Sequence, residues 1–549
     1  MKRETIVLSG AAVLFLWFLG AHDLWAPDEP FFGEGAREML IDGQWLVSHV
    51  NGVVNSHKPP LFFWLIAIFS LPIGAVTEFT ARLPSVLAAL GTLWLTMRIG
   101  RRWYGPKTAA LAGFILATAF MFWDKARWSQ IDSLLCCLIW VALSAFEGFR
   151  SGNLNGRRAG MLFWLAVGLA VLAKGPVGLL LPLGITLITL AVDRKFSSWS
   201  QFAPILGPLV FVAVVGSWVA AVSLWGPAGY SVLGALREHF VERGIHGMHH
   251  AQPFWYFFDR LTTSMLPWSG LIPGALYWAW KRRAIKTDSL ALVTCIFVFL
   301  FFSISTEKRD LYMLPAFPAW ALLMASLVGS VCRLDEPTLQ KAVPHRRWVT
   351  LGLGVIAGVI TLVGVALPVA GRSYDEIPFW MVCILAAVFF LMGVLSLIHA
   401  FKGRALNLVL VTGLGMCVAY LFTASLIYPI MEPVKSARKF AVRIKEVSAD
   451  SRAAGHRVMA WRLDNLANAF AYYSDGAYTY ETRDPGALLD HMTQNATVYA
   501  VVLETDLTDA MLDKLAHSWI IDETRLSRRD LLLISNTKHS EGRSIRDLE

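Results

Sequence analysis

Long apolar runs constrain this chain more than any other feature. Spanning a bilayer takes roughly 17–25 consecutive apolar residues. By that measure the sequence has spans at about 5–24, 81–99, 108–123, 133–149, 159–173, 176–192, 203–224, 264–280, 288–305, 312–331, 349–370, 378–400 and 406–428, which makes 13. Of 549 residues 56% are hydrophobic, where a soluble chain runs at about 45–50%. The reading is an α-helical polytopic membrane domain over 1–432 with outer loops at 26–60 and 225–263. A small soluble α/β domain follows at 433–535, and a polar, disordered tail at 536–549. Met1-Lys2-Arg3 and the run behind it read as an uncleaved first span rather than a signal peptide, because many spans follow.

Charge orients the spans. With the N-terminus inside, Arg101-Arg102, Arg157-Arg158, Arg194-Lys195, Arg282-Arg283, Arg346-Arg347 and Lys402 all fall on the cytoplasmic side. The run 61–76 is a fourteenth candidate, but a crossing there would put every later basic cluster on the wrong side, so it reads as interfacial or re-entrant. The net charge of +9 is thereby explained by membrane topology and does not call for a nucleic-acid partner. All six cysteines lie in or beside apolar runs, and the C-terminal region has none, so no disulfide framework supports it. In that region 458–461, 497–503 and 531–535 read as strands and 465–473, 485–491 and 506–517 as helices. No Gly-rich phosphate loop precedes any of these helices.

The unusual residues lie in the outer loops. Asp28-Glu29 stands at the outer end of the first span; Asp28 reads as an N-cap for a helix over 30–40, as a catalytic carboxylate, or as both. Glu29 shares the catalytic reading, as does Asp132, at the outer end of the fourth span, whose plain alternative is a helix cap. His57-Lys58-Pro59-Pro60 closes the first loop, and the prolines fix the chain direction after a lysine suited to a phosphate. In the second loop His239, Glu242, Arg243 and His246 are spaced for one helix face: an anion-binding face with Arg243 on phosphate, or an interfacial helix with an aromatic belt. A divalent metal such as zinc on His57, His239 and His246 is a further reading, without a tight His-Glu-x-x-His signature behind it. Lys174 and Lys308, in short outer turns, would make the outer cavity cationic and suited to a polyanionic lipid-linked substrate.

The ordered set of these motifs resembles the GT-C membrane glycosyltransferases, in the bacterial branch of aminoarabinose transferases that is related to protein O-mannosyltransferases. The matching pieces are Pro27-Asp28-Glu29, Ala36-Arg37-Glu38-Met39-Leu40, His57-Lys58-Pro59-Pro60, Ala81-Arg82-Leu83-Pro84-Ser85 and Ile131-Asp132-Ser133. Lys174-Gly175-Pro176, Gln252-Pro253-Phe254-Trp255-Tyr256, Leu266-Pro267-Trp268 and Tyr312-Met313-Leu314-Pro315 continue the series. The resemblance implies juxtamembrane helices after the first span, 13 spans, a periplasmic C-terminal domain and residence in the bacterial inner membrane. It also implies transfer of a sugar, 4-amino-4-deoxy-L-arabinose, from undecaprenyl phosphate to lipid A or a related envelope acceptor. Asp28 and Asp132 match the family's critical carboxylates, and Lys58 and Arg243 match positions that hold the lipid phosphate; His57, Lys174, Lys308 and Glu242 are further substrate-binding candidates from the residues alone. Two departures leave the sugar and acceptor open. Phe31-Phe32 stands where these transferases usually have Arg-Tyr, and His57 where they usually have Glu.

Two alternatives stay beside this reading. A second enzyme reading keeps the fold but gives it a protein or polysaccharide hydroxyl as acceptor. A transporter of lipid-linked sugars places its ionisable residues near the bilayer midplane and often has duplicated halves; here the charges lie at the outer edge and no duplication is visible.

Overall fold

The computed structural model describes residues 2–55, 58–202, 204–227, 230–232, 234, 252–282, 286–335, 346–373, 377–463, 467–476, 478–526, 529–539 and 542–548. The chain divides into two compact units. One is Met1–Leu19, Ser56–Leu61 and Leu83–Tyr428; the other is Gly20–Asn55, Phe62–Arg82 and Pro429–Glu549.

Among the described residues eight helices are long and apolar enough to cross a membrane, or nine if the bent pair Pro106–Thr118 and Phe120–Ala126 is one span. That pair lies where the sequence suggests a single run at 108–123. Ala119 takes an extended conformation, with φ −69° and ψ 129°, and the axis turns by 70°. The donor freed by the break is satisfied: Phe120 N–H bonds to the Leu266 carbonyl at 2.9 Å. The helix Leu61–Ser70 has 10 residues. It rises about 15 Å, half of a hydrocarbon core of about 30 Å.

In the first unit, one helical hairpin gathers buried charges at both of its ends. Helix Ile131–Arg150 runs into a tight turn and returns as helix Gly156–Lys174. Asn155 caps the return, its side chain accepting from Arg158 N–H at 2.9 Å. Antiparallel pairing brings Asp132, in the first turn of one helix, to the same end as Lys174, the last residue of the other. The opposite end holds a second set of buried charges. Arg150 donates to Glu147 at 2.7 Å, Asp193 at 2.9 Å and Ser289 at 2.7 Å, and Trp103 donates to Glu147 at 2.8 Å. Between the ends the packing is apolar, with Ile139, Trp140, Leu143, Phe146, Phe163 and Val167 in one continuous core.

The second unit contains a six-stranded sheet. Its strands are β3 (Val458–Trp461), β4 (Tyr478–Thr482), β5 (Tyr499–Leu503), β6 (Trp519–Leu526), β7 (Arg529–Ser535) and β8 (Arg543–Ser544), in the order β4-β3-β5-β7-β6-β8; β1 (His49–Val50) and β2 (Val53–Val54) form a separate hairpin. β3 is parallel to β4 and β5, with helices Ala467–Ser474 and Pro485–Met492 as the crossovers, and the other pairings are antiparallel. The period-two alternation sends Val458, Ala460, Val501 and Leu533 into one core and Met459, Trp461, Val502 and Ile534 into another. Both faces of the central strands are therefore covered.

Two expectations for this region need correction. The segment after Asn536 is not a disordered tail: Arg543–Ser544 pairs with β6, and Ile545 is fully buried in the second core. Two apolar side chains, Ile545 and the partly buried Leu548, anchor a stretch whose composition is otherwise polar. Nor is the domain built from 433–535 alone, because two stretches of the first loop and its following helices belong to the same unit. Helix Asp28–Asp42 packs on helix Ala467–Ser474. Gly33 makes the approach feasible, since a Cβ there would lie 2.7 Å from Leu24 and 3.2 Å from the Tyr472 ring.

Candidate active site

The candidate residues fall in both units. In the second unit, Asp28 opens helix Asp28–Asp42. The N-cap position is Pro27, without a side-chain cap, so Asp28 is inside the first turn and is not the cap expected from sequence. A carboxylate in the first turn is favoured by the positive end of the helix dipole. Asp28 is half-buried, whereas Glu29 is completely buried.

Glu29 is held by Arg82, which is equally buried. Arg82 Nε donates to Glu29 Oε1 at 2.7 Å and Nη2 to Oε2 at 2.8 Å, the bidentate geometry that a guanidinium forms best. The same guanidinium donates to the carbonyls of His22 at 2.9 Å and Asp23 at 2.6 Å. Glu29 Oε2 also accepts the Trp25 N–H at 3.0 Å. Both Glu29 oxygens are thus engaged. Its carboxylate anchors the turn, and Asp28 is the less buried member of the pair.

One turn further, Arg37 binds Glu34 through two bonds of 2.7 Å. Glu38 accepts the Gly52 N–H at 3.0 Å, in the hairpin where Asn51 and Gly52 both have positive φ, 60° and 71°, the two-residue turn that Asn-Gly favours. Burial first, and then the Glu34 charge, push the Glu38 carboxyl up to about 7 from 4.5. A raised carboxyl favours the folded state while it is protonated. Its contribution is fully present below pH 4.5 and is lost as pH rises through about 7. Glu38→Gln is expected to remove a loss of stability on the order of 3 kcal/mol across that window. Melting curves between pH 5 and pH 8 check this, and an unchanged pH dependence in the variant refutes it.

In the first unit, Asp132 is 9% exposed and forms an ion pair with Lys174. The Lys174 ammonium also lies 4.9 Å over the Tyr312 ring, a cation–π contact that sequence reading missed. Asp132 is not a cap: the N-cap residue is Gln130, in extended conformation. The turn before it is fixed by Arg127, a buried guanidinium that donates to the carbonyls of Leu14 at 3.2 Å and Phe15 at 2.9 Å, at the C-terminal end of the first helix. Lys308 is buried and donates to the carbonyls of Gln252 and Ser305, so its ammonium holds two backbone segments together. Lys58 is half-buried ahead of Pro59-Pro60. His57, His239, Glu242, Arg243 and His246 lie outside the described residues. Among the described residues no three His, Cys, Asp or Glu side chains are grouped to hold a metal ion.

Residues 57–219 match the family model of dolichyl-phosphate-mannose-protein mannosyltransferase. The undecaprenyl phosphate-alpha-4-amino-4-deoxy-L-arabinose arabinosyl transferase 2 of Proteus mirabilis is 30% identical over 64% of this chain and 65% of its own length. The corresponding transferase of Edwardsiella ictaluri is 31% identical over 58% of each chain. The match thus spans less than two thirds of either relative. In structure, ArnT from Cupriavidus metallidurans, solved with undecaprenyl phosphate bound, covers 98% of this chain and 99% of its own, with a TM-score of 0.77 at 20% identity. The chain has the fold of that transferase. It is a multi-pass GT-C membrane fold, and the likeness in fold extends over nearly the whole chain. An Archaeoglobus fulgidus oligosaccharyltransferase shares the architecture more distantly, with a TM-score of 0.53 at 13% identity over 93% of this chain and 70% of its own.

Proposed function

We propose that this protein is an integral-membrane glycosyltransferase that takes its sugar from undecaprenyl phosphate. Its best-supported substrates are 4-amino-4-deoxy-L-arabinose as the sugar and lipid A, or a related envelope glycolipid, as the acceptor. The observation that carries this reading is the likeness to ArnT over 98% of the chain, together with sequence relatives that are named for that sugar on that lipid carrier. The protein sits in the bacterial inner membrane with 13 spans, its N-terminus in the cytoplasm and its C-terminal domain in the periplasm, where the reaction takes place. The basic clusters at one end of the spans support this orientation.

In this reading Asp28 faces the acceptor, accepting its proton if it is a hydroxyl, or orienting it or balancing a bound cation if it is already a phosphate anion. The polyprenyl phosphate leaves, and Lys58 and Arg243 neutralise the charge that develops on it. Asp132 holds Lys174 at the same outer end, which keeps that ammonium available to the sugar-phosphate. His57 and Glu242 belong to the donor-binding surface, and a divalent metal on His57, His239 and His246 is part of the proposal. A second acceptor class is favoured by one observation: the family model matched by 57–219 is named for a transferase acting on protein.

Mass spectrometry of lipid A from cells with and without the gene tests the acceptor. A pentosamine-sized addition that depends on the gene is the expected result. Unchanged lipid A would reject that acceptor, and the same comparison on glycoproteins and polysaccharides would then test the second reading.

A further inference from the structure

The segment that leads into Asp28 has no regular secondary structure of its own, so its backbone donors need partners from elsewhere. Those partners come from the C-terminal part of the same unit. Asp23 N–H donates to Glu432 Oε1 at 2.7 Å, and the next one, Leu24 N–H, donates to the Tyr473 hydroxyl at 2.7 Å. Tyr473 in turn donates to Glu78 at 3.2 Å. The Asp23 carboxylate accepts from Ser436 Oγ at 2.7 Å and from Arg438 Nη1 at 2.7 Å. Arg438 also lies 3.6 Å from Glu78 and 5.2 Å over the Tyr473 ring. Next to Tyr473, Tyr472 donates to the Val76 carbonyl at 2.6 Å and packs on Gly33 of the Asp28 helix. Arg82 grips the same segment at the carbonyls of His22 and Asp23. The chain entering the Asp28 helix is therefore held through both its N–H and its C=O groups. The charged contacts among these are the stronger kind of hydrogen bond.

We propose that Tyr473 and Arg438 are positioning residues for Asp28. The C-terminal α/β part then acts on sugar transfer by fixing the Asp23-Leu24 backbone from which the Asp28 helix starts, without itself touching the reacting atoms. The inference rests on the reading of Asp28 as the carboxylate that faces the acceptor. A misplacement of about 1 Å in such a group costs about a hundredfold in rate, so loss of a single tether is a measurable event.

The test is steady-state kinetics of the full-length protein, purified in detergent, with an undecaprenyl-phosphate-linked sugar as donor. Tyr473→Phe and Arg438→Gln are expected to lower kcat by about tenfold to a hundredfold with the donor KM within about twofold. Arg438→Lys, which keeps a cation near Asp23, is expected to recover most of the loss. Lys439→Gln, the same charge change at an exposed neighbour, is expected to keep wild-type kinetics. Unchanged kcat in both variants overturns the proposal. So does a rise in KM at constant kcat, which would make the C-terminal part a substrate-binding element instead. If Arg438→Gln does not fold, Tyr473→Phe, which keeps the ring and its packing, decides alone. Asp28→Asn measured alongside separates the two layers. An inactive Asp28→Asn with normal Tyr473→Phe rejects only the positioning role, whereas a fully active Asp28→Asn rejects the reading of Asp28 beneath it.

Discussion

Asp28→Asn is expected to lower kcat by about 10²–10⁴ while the protein still folds. The change is isosteric, and Asp28 is half-buried at the first turn of its helix. Among what the fold loses is the interaction of a negative charge with the helix N-terminus, about 0.3–1 kcal/mol. What the reaction loses is the group that accepts a proton from, or orients, the attacking oxygen. The neighbouring acid should behave in the opposite way. Glu29→Gln removes the negative partner of a fully buried guanidinium, so its main effect is on folding, with activity falling in proportion to the folded fraction. Measuring kcat per folded molecule for both variants separates these outcomes. Full activity in Asp28→Asn would reject the catalytic assignment.

The parts of the fold that were legible in the sequence are those with one strong local signal. β3, β5 and β7 lie at the centre of the sheet; β3 and β5 are continuous apolar runs with both faces buried, and β7 has such a run at Leu531–Ile534. β4 and β6 were missed. β6 carries Asp522, Glu523, Thr524 and Arg525 in sequence, and β4 is an edge strand rich in polar residues, so their strand character comes from pairing rather than composition. The bend at Ala119 has no proline or glycine to announce it. In the site, Asp132 and Lys174 were each visible as charges at span ends, but their ion pair was not. They are joined only because two helices pack as a hairpin. Arg82 was visible only as part of a motif. Its bonds to Glu29 reach across from another helix, and nothing in the local sequence specifies them. The Glu34–Arg37 pair carried a usable signal in its i,i+3 spacing on a helix.

The largest effect on stability is expected at Arg82. Arg82→Met keeps the length of the side chain and most of its packing, but it leaves the Glu29 carboxylate buried with no opposite charge against it. Removing one partner of a buried ion pair typically costs about 3–5 kcal/mol, and here the carbonyls of His22 and Asp23 lose a donor as well. Lysine is not expected to rescue the site, because a single ammonium cannot reproduce a planar fork that reaches both Glu29 oxygens and two carbonyls. The double variant Arg82→Met with Glu29→Gln removes the stranded charge along with the cation. It should therefore be more stable than Arg82→Met alone, and the difference measures the coupling between the two side chains. Thermal melts of the four proteins in one detergent supply the comparison. A cycle in which the two single losses simply add would mean that Arg82 and Glu29 act independently, and that the bidentate pair is not what holds the turn that presents Asp28.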